Sequence, residues 1–348
     1  MDPRERIEAF WAGERPEQIP YTMFRGYPWH SGVLDDAAWQ PMYEAGLRTT
    51  WEVGTFGSRA KNVEHGHDSW TEEGQKFDRY TMRTPVGEIS STYRDGWQAK
   101  YFLETAQDYR VMQYVVENTE IFPQHKAFAQ AEQEHGEHCI VHVGLGRSPI
   151  QTLLVDYAGL ENLSWHLAEL PAEVEALCDA LLCDLRRAAE ITAEGPGRYV
   201  SVAENFTADT MGPERFRRYH LPVYEELFPP LQAAGKIVGT FFDGRLASCK
   251  EAIAGSPIDL LESLTPPPEG DLTLAEARAA WPDKLFWSNI NLATYELPPD
   301  RIRATVLEAV QQAAPDGRRL AFAVSEDLPR NWRESMPVVL ATLRETRA

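Results

Sequence analysis

From residue 138 to the end, short apolar runs rich in β-branched and aromatic residues alternate with longer stretches of helical periodicity. No other feature restricts the fold as tightly. The runs are HCIVHVGLG (138–146), YVSVAENF (199–206), KIVGTFFD (236–243), IDLLES (258–263), KLFWSNI (284–290) and RRLAFAV (318–324). Stretches such as PERFRRYHLPVYEELFPPLQAAG (213–235) and RIRATVLEAVQQAA (301–314) separate them. Two further candidate strands come earlier, IPYTMFR (19–25) and LRTTWEVG (47–54), with the helix-like DDAAWQPMYEAG between them. Strands alternating with helices predict a parallel sheet. Eight such units in 348 residues favour a closed (β/α)8 TIM barrel over its main rival, a doubly wound open sheet.

Residues 63–104 break this rhythm. KFDRYTMRT (76–84) and GEISSTYRDGW (87–97) alternate polar and apolar residues around the turn signal Thr84-Pro85-Val86-Gly87. They predict an antiparallel β insertion after the second strand, followed by helices near 106–118 and 122–134. No Pro/Gly/Ser-rich linker divides the chain, so one domain over 1–348 carrying this insertion is expected. Ten tryptophans and a 43% hydrophobic content allow a sizeable core.

In a barrel of this kind, chemistry sits where the strands end at their C-terminal side. The first strand ends in Arg25-Gly26, the third in Gly144-Leu145-Gly146-Arg147 and the fourth in Glu204-Asn205. The fifth ends in Asp243-Gly244-Arg245, the sixth at Glu262, the seventh in Asn289-Ile290-Asn291 and the eighth in Ser325-Glu326-Asp327. Glu204, Asp243, Glu262 and Glu326 would then converge on one mouth. Like charges brought together need a shared proton, a cation or a positive partner, which marks the set as a functional candidate. The competing account is that strand-end acids cap the helices that follow, and Asp271 and Asp327 fit it.

Charge and composition exclude several partners. With 53 acidic against 34 basic residues the formal net charge is −19, which speaks for solubility and against nucleic acid. The opening MDPRERIEAFW lacks the apolar segment of a signal peptide, and no apolar run approaches the roughly 18 residues of a membrane span. Cys139, Cys178, Cys183 and Cys249 form no CxxC pair, as expected of reduced thiols in a cytoplasmic protein. Cys178 and Cys183 do not share a helix face and read as core.

Other signals are weaker. Gly144-Leu145-Gly146-Arg147-Ser148-Pro149 has Pro149 where a dinucleotide fingerprint needs its third glycine, so a tight strand-to-helix turn is expected, with amides that can hold an anionic ligand group. His65 and His67 lie on one face if extended, a spacing open to a metal but more in keeping with a polar surface turn. His135 and His138 read as solvated, and His220, mid-helix, as packing. Trp70, Trp97 and Tyr101 either fold over the mouth, suiting a flat ligand or a corrinoid face, or form a small core of the insertion's own.

Several stretches resemble the superfamily of uroporphyrinogen decarboxylase, corrinoid-dependent methyltransferases and cobalamin-independent methionine synthase. They are RERIEAFWAGERPEQIPYT, MRTPVGEI, FTADTMGPERFRRYHLPVYEEL, IDLLESLTPPPEGDLTLAEAR and WSNINL, in matching order and spacing over nearly the whole chain. The resemblance implies a TIM barrel. Thiol-activating members bind zinc through His-x-Cys after the fifth strand and a Cys after the eighth, and the methionine synthase relatives add a Glu after the sixth. Here those positions are Phe241 and Asp243, Ser325 or Glu326, and Glu262. No soft ligand remains, so an all-oxygen set of Asp243, Glu262 and Glu326 would suit a harder divalent cation, or a shared proton without metal. The sequence looks closest to a methyltransferase-like branch with Asp-Gly at this point. The haem-pathway decarboxylase fits poorly, because its arginine pair is reduced to Arg25, its tyrosine falls at Val155 and its late histidine falls near Ser325-Glu326.

The resemblance implies methyl transfer at the mouth, with a small methylated compound or a methylcorrinoid on a partner protein. Asp243 and Glu326 would be the acid/base pair or cation ligands, supported by Glu204 and Glu262. Asn205 and Asn289 would orient the substrate, and Arg25 would bind an anionic group. Decarboxylation of a small acid, gripped by Arg25 or Arg245, is the alternative, and a ligand-binding barrel without catalysis is a third. Oligomeric state stays open.

Overall fold

All eight apolar runs form strands, and they close into a single parallel barrel. The computed structural model describes residues 2–24, 39–135, 138–324 and 328–346. In chain order the strands are β1 (Tyr21–Phe24), β2 (Leu47–Val53), β3 (Phe56–Ala60), β4 (Glu64–Glu72), β5 (Gln75–Thr84), β6 (Gly87–Arg94) and β7 (Trp97–Lys100). They continue with β8 (Thr119–Pro123), β9 (Cys139–Gly146), β10 (Tyr199–Val202), β11 (Ile237–Phe241), β12 (Leu260–Leu264), β13 (Leu285–Ile290) and β14 (Leu320–Val324). The barrel runs β1-β2-β9-β10-β11-β12-β13-β14, and β14 pairs back onto β1 with Tyr21 beside Phe322. Two compact units emerge. One comprises Met1–Thr55, His125–Gly146 and Thr192–Ala348 and contains the barrel; the other comprises Phe56–Gln124 and Arg147–Ile191.

One helix identifies the barrel interior. Pro3–Trp11 starts on a capping box between Asp2 and Glu5, with proline in its first turn. Its Ile7, Phe10 and Trp11 pack with Ile140, Tyr199, Leu260, Leu285, Trp287 and Ala321. Those side chains come from five strands, and a single helix can meet five strands only at the inside of a barrel. Most stand at the first residues of their strands, so the helix plugs the N-terminal end. Side chains alternate across a strand. The interior face therefore continues toward the C-terminal end through His142, Gly144, Ser201, Gly239, Phe241, Glu262, Asn289 and Ala323. Trp287 donates its indole N–H to Thr22 Oγ1 at 2.9 Å, which places Thr22 and Phe24 on the same face.

The second unit holds the antiparallel insertion. β4 to β7 form one four-stranded sheet, and Pro85-Val86 is the two-residue turn between β5 and β6. The Thr84 hydroxyl donates to the Gly87 carbonyl at 2.9 Å. Helix Ala106–Glu117 follows, capped by Thr105 and Asp108. The antiparallel pair β3–β8 has no counterpart in the sequence reading. Trp70 stacks on Phe77 and Trp97 is 82% exposed, so these tryptophans do not make a core for the insertion.

Local readings change in three places. The segment 213–235 is helical as read, but it continues helix Ala208–Arg215 through one turn of π type, Phe216–His220, into helix Leu221–Ala233. All four cysteines are free, as expected, but Cys183 is exposed. His138 is not solvated; its ring stacks on Tyr43 at 4.6 Å. No helix among the described residues is long and apolar enough to cross a membrane.

Candidate active site

Glu262 turns into the barrel. It lies two residues beyond Leu260, an interior position, and its Oε2 accepts hydrogen bonds from the Tyr199 hydroxyl at 2.7 Å and the Ser201 hydroxyl at 2.8 Å. Burial, reinforced by the Glu262 charge, raises the Tyr199 phenol well above its ordinary value, so it stays protonated and donates. Gly239 on the neighbouring strand makes room for this contact: a Cβ there would stand 2.6 Å from the Tyr199 hydroxyl.

A second acid, which the sequence reading missed, enters from β2. Glu52 Oε2 lies 3.9 Å from His142 Nε2, and the His142 ring is 5.4 Å from that of Tyr199. The carboxyl fills the space left by a bare backbone, since a Cβ on Gly144 would come within 2.5 Å of its carbon. Glu52, His142, Tyr199, Ser201 and Glu262 thus form a polar layer above the apolar plug. The signal for it was the alternation inside LRTTWEVG and HCIVHVGLG. Reading only strand-terminal residues passed over both Glu52 and His142.

The remaining expected residues are distributed differently. Asp243 follows β11 and is half-buried. Glu204 turns the other way, outward from β10. It is fully buried, accepts from the Tyr224 hydroxyl at 2.7 Å and lies 3.7 Å from His220 Nδ1. The Phe206, Phe216 and Tyr224 rings surround His220, which is packing as expected. Glu204 therefore does not join Glu262 in the mouth. Asn205 is exposed in a left-handed conformation, φ 48°. Arg245 is exposed, with its Nε 3.7 Å from Asp209. Asn289 is buried and donates to Thr265 Oγ1 at 3.2 Å, fixing an interior amide at the C-terminal end of β13. Asp271 caps a turn other than the expected one: Oδ1 accepts from the amides of Leu246 and Ala247, while Thr273 caps the helix that follows it. Arg25, Ser325, Glu326 and Asp327 lie outside the described residues.

The donor set does not match soft zinc ligation. Phe241, on the interior face, offers no donor, and Glu262 Oε2 is already bonded to two hydroxyls. Among the described residues no three His, Cys, Asp or Glu side chains converge as a metal would require. The chemistry available here is that of a hydroxyl-supported carboxylate beside a carboxylate–imidazole pair.

No protein-family model matches the chain, and no curated protein sequence matches it. Among solved structures it is similar to a methyltransferase from Methanosarcina mazei, at 11% identity, TM-score 0.61 and full coverage of both chains. It also aligns with a B12-independent methionine synthase from Shewanella sp. W3-18-1 in complex with selenomethionine, at 11% identity and TM-score 0.42 over 89% of this chain and 85% of that one. The first likeness extends from end to end of both chains, and what it establishes is a shared fold: the chain is a (β/α)8 barrel of the kind that carries the Methanosarcina methyltransferase.

Proposed function

We propose that the protein is a methyl-transfer enzyme acting at the C-terminal mouth of the barrel, on a small methylated compound or a methylcorrinoid carried by a partner protein. The supporting observation is Glu262, held by Tyr199 and Ser201 in the polar layer of the interior, where barrels of this type place their chemistry. The shared fold with a methyltransferase adds an analogy of architecture. When a heteroatom gains or loses a methyl group, a proton or a unit of charge must be accommodated beside it. A carboxylate fixed through one oxygen can take up that proton or balance that charge on the other. In this reading Tyr199 and Ser201 position Glu262, Asn289 orients the substrate, and Glu52 with His142 forms a second proton-holding pair. Asp243 and Glu326 are further candidates for the acid/base pair, and Arg25 for receiving an anionic group.

The test is to incubate the purified protein with reduced cobalamin and ¹³C-methyl donors: methanol, a methoxybenzoate, methylated amines and methylated thiols. Protein-dependent appearance of ¹³C-methylcobalamin, or its consumption in the reverse direction, is the expected result. Release of labelled carbon dioxide from small carboxylic acids, with no methyl transfer from any donor, would overturn it.

A further inference from the structure

We propose that the barrel mouth takes a small alkylated onium cation, a methylated ammonium or sulfonium. This rests on the reading of the mouth as the reaction site and names the class of ligand it is built for.

The first observation is an uncompensated charge. Glu262 Oε2 accepts from two neutral hydroxyls, and among the described residues no lysine, arginine or histidine forms an ion pair with it. A half-buried carboxylate without a cation is costly, and a bound cation supplies the missing partner. The second is the surrounding wall. Phe241 stands half-buried on the same interior face, one strand away, with Phe241 paired beside Glu262 in the β11–β12 register. Tyr199 and Trp287, 5.7 Å apart between ring centroids, lie beneath in the buried core. Ring faces attract alkylated cations, and more strongly where water is excluded. A compact ammonium such as that of lysine is better matched by water; an alkylated one matches carboxylate and ring together.

The third observation asks for a polar arm on the ligand. The His142 imidazole is 1% exposed, faces the interior beside Tyr199, and its Nδ1 has no hydrogen-bond partner. A buried polar atom left unmet costs free energy that a ligand hydroxyl or carboxylate recovers. A purely aliphatic neutral ligand would leave both Glu262 and His142 unsatisfied. Among the two partners of a methyl transfer, the complementarity is to the one whose nitrogen or sulfur carries the additional methyl group and the positive charge.

Binding can be measured without turnover. Titration calorimetry compares choline and tetramethylammonium with 3,3-dimethylbutan-1-ol, the uncharged isostere of choline, on the wild-type protein, Glu262→Gln and Phe241→Leu. Choline is expected to bind the wild type about 10-fold or more tightly than the isostere. That preference should vanish in Glu262→Gln and shrink in Phe241→Leu, with melting curves showing both variants folded. If Glu262→Gln does not fold, Phe241→Leu alone decides. Equal binding of cation and isostere, or no binding of either cation, overturns the inference. Methyl transfer confined to neutral donors, without cation binding, would overturn it and leave the enzyme reading standing. Cation binding without methyl transfer would do the reverse.

Discussion

Two glutamates at strand ends, Glu204 and Glu262, meet opposite fates. Glu262 continues the alternation of β12 two residues beyond interior Leu260 and points into the barrel; Glu204 lies past the end of β10, after a register shift at Ser201–Val202, and its carboxylate turns to helix Leu221–Ala233. Outside, Glu204 is satisfied by Tyr224, whose phenol is raised well above its ordinary value by burial and by the neighbouring carboxylate. This makes Glu204 a packing residue of helix Leu221–Ala233. Removing its donor with Tyr224→Phe is expected to cost about 1–3 kcal/mol, read from the urea midpoint, because a buried carboxylate oxygen loses its hydrogen bond. Choline or isostere affinity should not move; a shift in affinity at unchanged stability would place Glu204 in the ligand site after all. At this scale the sequence shows which residues carry charge. It does not show the direction each one faces until the register is known, which is why the expected four-acid convergence reduces, among the described residues, to Glu262 in the interior and Asp243 following β11.

At the scale of the element, the barrel strands were legible because buried parallel strands are rich in apolar and β-branched residues, and each of the eight stretches of that kind is a strand. β3 and β8 were not, since FGSRA and TEIFP are short and mixed in polarity, and their pairing joins residues 59 to 67 positions apart. Gly144 on β9 shows how an element shapes the site it carries. Its backbone lies against the Glu52 side chain, so Gly144→Ala must push that carboxylate aside. The clash is with a side chain, not with backbone, so the barrel is expected to tolerate the change while His142 loses its neighbour. Weaker choline binding with a melting temperature lowered by only a few degrees is the expected outcome. Unchanged binding would show that Glu52 does not contribute to the site.

For the whole molecule, closure of the barrel and plugging of one end decide where function can reside. Phe10 and Trp11 fill the N-terminal end together with Tyr199 and Trp287, and the polar layer lies above them toward the C-terminal side. The architecture was legible from the spacing of strands and helices alone, since few folds accommodate eight alternations. The second unit was only partly so: the sequence marked residues 63–104, whereas the unit also takes in Arg147–Ile191, a grouping made by tertiary packing and invisible to local pattern. Whether chemistry is centred on Glu262 inside the barrel is tested most directly by the rate of ¹³C-methyl transfer by Glu262→Gln relative to wild type, at matched folding by circular dichroism. A fall of about 100-fold or more is predicted, as for loss of a positioned acid–base or charge-stabilising group. Transfer at the wild-type rate would contradict the account and move the reaction to the rim around Asp243.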